Sequence, residues 1–234
     1  MAYNLLSVGT NPKIDKSNKV SSKYWSVIMH LRPVNTKICP YQDIAKCKNA
    51  CLNTAGLGGV YPSIQKARQR KTDLFLNDRD EFMRQLVHDI HKFIRACDRK
   101  EKKPAIRLNG TSDIQWEKID IDGQNIFEMF PQIQFYDYTK IPTRKVDKIP
   151  NYHLTWSYSE ANEKYAEMFD QVPNNKAVVF RTKDLPRMFR GLKVIDGDKT
   201  DMRFLDKPNS VVGLKAKGQA KKDYSGFVID AIQI

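Results

Sequence analysis

Seven short runs rich in β-branched and aromatic residues punctuate the chain, at 23–33, 104–110, 132–139, 152–159, 176–182, 192–198 and 211–218, and several are separated by stretches of helical character. Strands that alternate with helices bury both of their faces, so the expected fold is an α/β protein of one domain with a parallel sheet. That sheet would be a partial or complete (β/α) barrel. The best-defined helix runs from about 78 to 99. There Phe82, Met83, Leu86, Val87, Ile90, Phe93, Ile94 and Cys97 recur every three to four residues as one buried stripe, with Asn77 or Asp78 as the cap. Cys97 therefore belongs to the core. A second helix is predicted over 63–76, and shorter ones over 125–130 and 159–170. Residues 1–22, rich in Asn, Ser and Lys, read as a flexible arm ahead of a domain spanning 23–234.

The apolar part of these runs comes first and the polar residues cluster at the end. Ile106 precedes Arg107, Asn109 and Asp113; Phe135 precedes Asp137 and Lys140; Leu154 precedes Ser157; Ile195 precedes Asp196. In a parallel sheet those ends emerge along one edge, where active sites are built. The expected pocket therefore contains these residues. Asp137 and Lys140 are the candidates for proton transfer, Arg107 and Asp113 the further catalytic candidates, and Asn109, Ser157 and Asp196 the substrate contacts. The Gly-interrupted basic stretch 213–223 adds Lys215 and Lys217 as partners for a phosphate or carboxylate. The alternative for all of them is that strands end in polar turn residues.

Cys39, Cys47 and Cys51 fall in the string CPYQDIAKCKNAC, a spacing of C-x7-C-x3-C. Four residues apart, Cys47 and Cys51 would share one face of a short helix that Gly56, Gly58 and Gly59 close, with Cys39 returning from the preceding loop. Three thiolates suit an iron–sulfur cluster, and a 4Fe–4S cubane held by three cysteines leaves one iron free. Zinc in a structural site wants four ligands, which would have to come from His30, His153 or Cys97. Without any metal, Cys47 and Cys51 are small apolar residues in the packing. These three readings stay open.

Forty Lys and Arg against 27 Asp and Glu give a net charge of +13, which favours anionic partners such as nucleic acid, nucleotides or phosphorylated substrates. The charges look spread along the chain. Tyr136, Tyr138, Trp156 and Tyr158 interleave with basic residues, either to stack bases or simply as strand formers. No apolar run approaches the roughly 18 residues of a membrane span. The first residues lack the apolar core of a secretory signal, so a cytoplasmic protein with reduced cysteines and no membrane contact is expected.

The cysteine triplet on an alternating α/β pattern resembles the radical S-adenosylmethionine enzymes, whose usual spacing is C-x3-C-x2-C. That resemblance implies a cluster after the first strand whose free iron binds S-adenosylmethionine. A closer resemblance rests on the triplet together with Ala67-Arg68, Lys71-Thr72, the strings RLNGTSD at 107–113, YDYTK at 136–140, LTWS at 154–157, DGDKTD at 196–201 and GLKAKG at 213–218. These are similar to a family of bacteriophage proteins named after a mycobacteriophage gene product numbered 88, which implies a phage origin and expression in the host cytoplasm. Two functions follow as expectations. One is an iron–sulfur enzyme acting on an anionic or nucleotide-like substrate. The other is a non-catalytic nucleic-acid-binding or host-interaction protein in which the cluster, or zinc, is structural.

Overall fold

The computed structural model describes residues 4–7 and 11–231, and in it ten strands form one largely parallel sheet. The strands are β1 (Leu6–Ser7), β2 (Tyr24–Met29), β3 (Lys103–Arg107), β4 (Gln134–Thr139), β5 (Tyr152–Ser157), β6 (Lys176–Arg181), β7 (Met188–Phe189), β8 (Leu192–Asp196), β9 (Ser210–Lys215) and β10 (Val228–Asp230). Their order is β1-β2-β3-β4-β5-β6-β9-β8-β7. β6 is also paired by β10 in parallel, opposite Val179 to Arg181, where its pairing with β5 has ended at Ala177. Only β1 and β7 run antiparallel to their neighbours, β2 and β8. These two-residue strands occupy the two ends of the path, so the sheet is open where a closed barrel was one expectation.

Six helices accompany the strands: α1 (Pro12–Val20), α2 (Gly56–Val60), α3 (Pro62–Asn77), α4 (Arg79–Asp98), α5 (Ile126–Met129) and α6 (Glu163–Ala166). α4 starts where its cap predicts, with the Asp78 carboxylate accepting the Glu81 N–H at 3.1 Å. Its stripe of Phe82, Met83, Leu86, Ile90, Phe93 and Cys97 is buried against Val27, Met29, Ile106, Phe135 and Leu154 from β2 to β5. A second cluster joins Trp156, Tyr158, Tyr165, Phe169, Val178 and Phe180 around β5 and β6. Burying side chains of this size contributes roughly 1.5–3 kcal/mol each. No helix among the described residues is long and apolar enough to cross a membrane.

Strand residues alternate between two faces. Opposite the α4 side, Ser26 and Tyr136 meet through their hydroxyls at 2.6 Å. That face is roofed by α1 and by the turn Arg203–Leu205, whose Phe204 ring packs on Tyr24 at 4.9 Å and Tyr136 at 5.3 Å. The segment expected as a loose arm thus supplies, in its described residues, an edge strand and a helix, with Leu5, Leu6 and Ile14 buried. Its polar composition concealed this because α1 offers only one narrow apolar stripe to the sheet.

Candidate functional site

The cysteines lie in the connection after β2, and the backbone there is a series of turns. Ile38 and Cys39 donate to the Asn35 carbonyl, Ala45 to Tyr41, and Lys46 then adopts a positive φ of 52°. Left-handed backbone at a non-glycine residue interrupts helical geometry. Cys51 is extended, and its sulfur accepts the Asn53 N–H at 3.4 Å as the cap of the single turn Leu52–Thr54. Cys47 and Cys51 therefore do not stack on a helix face, which corrects that expectation. The glycines open or line α2, the next element, and do not close a helix bearing the cysteines. A β-carbon on Gly59 would lie 2.2 Å from the Thr54 carbonyl oxygen, so the tight return of the chain there requires glycine.

Two strand exits and the lead into β10 hold this loop. Beyond β3, Gly110 donates to the Met29 carbonyl at 2.9 Å, Thr111 Oγ1 to Leu31 at 2.6 Å, and the Asp113 N–H to Ile38 at 2.9 Å. Gly110 is needed because a β-carbon there would stand 2.4 Å from the Met29 oxygen. After β5, Ser159 donates to the Ala45 carbonyl at 2.9 Å; just before β10, Ser225 reaches the Lys46 carbonyl at 3.4 Å. The RLNGTSD string is thus the clasp that lays the cysteine loop along the carboxyl ends of the strands.

Cys39, Cys47 and Cys51 are free thiols, partly buried, and near enough to influence one another. Burial pushes all three above the ordinary thiol range. At Cys39 the charges of Asp113, Cys51 and Cys47 add to that push; Lys140 opposes it at all three, and Arg68 at Cys51. Cys97 is separate from this group, in the core beneath α4, with burial raising its thiol to about 12. Among the described residues no group of three or more His, Cys, Asp or Glu side chains is placed to hold a metal ion. This stretch brings three sulfurs on one loop, a backbone N–H donated to one of them, and the Lys140 and Arg68 charges beside them.

The predicted polar residues divide into four groups. Asp113 and Lys140 are at the cysteines. Asp113 accepts from Thr139 Oγ1 at 2.8 Å and from the Lys140 N–H at 2.7 Å, while Lys140 Nζ donates to Ser157 Oγ at 2.7 Å and lies 4.7 Å from the Phe227 ring centre. A second group is structural in its contacts. Asp137 is 0% exposed and accepts the Asn109 N–H at 2.7 Å, Asn109 Nδ2 at 3.3 Å and the Tyr152 hydroxyl at 3.0 Å. Burial raises its carboxyl to about 7, against the pull of the Asn109 N–H and of the Arg107 and Arg144 charges. The Asn109 side-chain oxygen, Oδ1, meanwhile accepts from Ser112 Oγ, the Ile114 N–H and Trp116 Nε1.

In the third group, Arg107 on β3 forms a two-point pair with Asp201 at 3.0 and 3.2 Å, its guanidinium 4.6 Å from the Tyr138 ring centre, and Lys13 of α1 joins Asp201 at 2.9 Å. The Arg107 Nε has no partner among the described residues. The fourth group sits around β8 and β9. The Asp196 carboxylate accepts the Asp198 N–H at 2.9 Å, and Asp198 in turn takes Lys217 Nζ at 2.6 Å and the Lys215 N–H at 3.3 Å. Asp196 and Lys215 also line a depression of about 570 Å³ with Arg187, Lys193 and Lys199. The structure therefore joins Asp113, Lys140 and Ser157 to the cysteines and engages the other candidates elsewhere.

Some contributors escaped the sequence reading. Arg144, wholly buried, bridges Glu117 at 2.6 Å, Tyr152 at 2.8 Å and Asp113 at 3.5 Å from an irregular loop without any pattern. Lys13 was hidden in the segment taken as an arm. Arg68 donates to the Asn53 carbonyl and side chain at 3.1 and 2.8 Å, and only its place in the Ala67-Arg68 string marked it. His30, a distant candidate ligand, is 3.5 Å from Asn11 Nδ2; burial, then the charges of Arg68, Arg107 and Lys71, lower its pKa to about 3.

Neither a curated protein nor a solved structure matches the chain. A family model, Gene product 88, matches residues 4–231, nearly the whole length. This match shows that the chain belongs to the Gene product 88 family of phage proteins.

Proposed function

We propose that Cys39, Cys47 and Cys51 hold an iron–sulfur cluster, and that the chain is an enzyme acting on an anionic substrate beside it. The observation that carries this reading is the arrangement of three free thiols on one loop, fastened to the exits of β3 and β5, with Lys140 next to them. Parallel α/β sheets place their chemistry at that edge. A 4Fe–4S cluster on three cysteines would supply an iron with an open position for a substrate or for S-adenosylmethionine.

Within this reading the protein's own groups have distinct tasks. Lys140 and Arg68 offset the negative charge of the thiolates; the Asn53 N–H donates to one sulfur. Lys140, held by Ser157 at 2.7 Å, is the group beside the cysteines able to bind an anion or pass a proton. Arg107 positions the second face through Asp201 and Tyr138. Asp137 and Asn109 act through the loop that they shape.

The test is anaerobic purification with iron and sulfide analysis and an absorption spectrum, using Cys47→Ala as the control. The expected result is a broad band near ~400 nm with bound iron and sulfide, lost in the variant. Iron-free, colourless protein after anaerobic reconstitution would overturn the reading. With the cluster present, titration with S-adenosylmethionine decides whether it is the second ligand.

A further inference from the structure

The charge excess is concentrated in two stretches of the chain. Residues 31–71 carry eight Lys and Arg against one carboxylate, Asp43, and residues 213–222 carry four Lys and no carboxylate, so together they hold eleven of the net thirteen positive charges. The fold brings these stretches side by side. Ala50, from the cysteine loop, packs with Ala216 and Ala220 in one apolar cluster, and a β-carbon on Gly218 would stand 3.3 Å from the Ala55 β-carbon. Beyond that turn, Gly59 closes on the Thr54 carbonyl and leads into a groove of about 620 Å³ between α2 and α3. Arg32, Lys66 and Arg70 are among the residues that line the groove, and no carboxylate is.

These charges are open to a partner. Arg32, Lys37, Lys48, Lys66, Lys221 and Lys222 are exposed, and none has a carboxylate partner among the described residues. By contrast, Lys71 is buried on the Leu5 carbonyl and Lys217 is paired with Asp198 at 2.6 Å. On α3, Lys66 and Arg70 are four residues apart, so they share one side of the helix about 6 Å apart along its axis, a row that suits successive phosphates.

The aromatic content of the face favours a nucleic acid over an acidic protein. Tyr61 stands in the groove at 52% exposure, and Tyr224, at the end of the second basic stretch, is 80% exposed. Arg181 braces Tyr224, with its guanidinium 3.9 Å from the ring centre, and donates to the carbonyls of Lys221, at 3.4 Å, and Asp223. The basic loop and its exposed ring are thereby held as one unit. Proteins bind single strands on cationic grooves set with exposed aromatic rings, the phosphates going to the cations and the bases to the rings. A duplex keeps its bases stacked inside and leaves such rings unused.

We propose that this face, from the α2–α3 groove to the loop 213–224, is a binding track for single-stranded nucleic acid. Arg32 and Lys66 hold phosphates at one end, Lys221 and Lys222 at the other, and Tyr61 and Tyr224 are the stacking platforms. The track uses none of the cysteines, so it does not depend on what the thiols hold.

The experiment follows the anisotropy of a fluorescein-labelled 20-nucleotide oligodeoxythymidylate titrated with the full chain, at salt from ~50 to ~400 mM. Lys66→Glu with Lys221→Glu takes one cation from each end. Lys103→Glu with Lys207→Glu makes the same change of net charge at exposed lysines near the amino ends of β3 and β9, the opposite edge of the sheet. Tyr61→Ala with Tyr224→Ala removes the rings. The expected result is binding that weakens steeply with salt, a loss of about tenfold or more with a shallower salt dependence in the first pair, and little change in the second. The tyrosine pair should lose about fivefold or more with its salt dependence unchanged. Unchanged urea midpoints, expected of exposed substitutions, assign these losses to the face. Absence of binding at ~50 mM salt would overturn the proposal, as would equal losses in the two lysine pairs, because net charge alone would then explain the binding. So would an affinity indifferent to both rings, or displacement of the oligonucleotide by poly-glutamate at equal charge concentration, which would make this a face for acidic protein.

Discussion

Asp201 is the residue on which the face opposite α4 depends. It is 0% exposed and receives Arg107 and Lys13, and its N–H is held by Ser17 Oγ at 2.7 Å. Burial alone would raise its carboxyl, but the Arg107 and Lys13 charges outweigh burial and hold it well below the ordinary carboxylate range. A carboxyl whose folded pKa is depressed stabilises the fold above its unfolded value, near ~4, and that contribution is lost as pH falls toward the folded value. Stability should therefore decline from about pH 5 downward through this group. Asp201→Asn leaves the buried Arg107 and the partly buried Lys13 without their counter-charge, which costs roughly 3–5 kcal/mol. Urea unfolding at neutral pH should show that loss as a lower midpoint, and the acid-dependent component should be reduced in the variant. An unchanged midpoint would mean that Arg107 and Lys13 have another counter-charge.

At the scale of elements, α4 shows how little of a helix's contribution comes from its end and how much from its stripe. Asp78→Ala removes one exposed cap and should cost about 1 kcal/mol. Phe82→Ala empties a fully buried site between Phe75, at 5.1 Å, and Trp116, at 6.2 Å, and should cost about 3–5 kcal/mol. Thermal or urea unfolding of the two variants separates these terms; equal losses would contradict the packing described. The same contrast explains what could be read in advance. α3 and α4 were visible within a residue or two, since a long helix repeats its apolar spacing many times. β2 to β6, β8 and β9 were visible because each is a short strand-like run with its apolar part first and turn or charged residues at its end. β1, β7 and β10 were missed because two or three residues carry no periodicity, and their pairing is decided by the strand already present.

For the molecule as a whole, sequence order identified which residues stand at the strand exits but not which of them face the same space. Asp137 and Lys140 are three apart on β4 and its exit. One points its oxygens into the RLNGTSD loop and the other its amine toward the cysteines and Ser157, a division that follows from strand alternation only once the loop's own hydrogen bonds are known. The cysteine spacing suggested a helix that the backbone at Lys46 does not allow. The largest misreading concerned residues 1–22, and it has a direct consequence. The Leu5 and Leu6 N–H groups are bound by the buried Asp89 carboxylate at 2.5 and 3.1 Å, and the Leu5 carbonyl accepts the buried Lys71 Nζ at 2.6 Å. Removing residues 1–22 would orphan both of these charges, take Lys13 from Asp201, and expose the sites filled by Leu5, Leu6 and Ile14, worth roughly 1.5–3 kcal/mol each. The sum approaches the 5–15 kcal/mol or so that holds a domain folded. A chain starting at residue 23 should therefore lose its cooperative urea transition and bind a hydrophobic dye in buffer alone. A truncated chain that unfolds cooperatively at the midpoint of the full protein would show that the segment is dispensable, and that Asp89, Lys71 and Asp201 find their partners elsewhere.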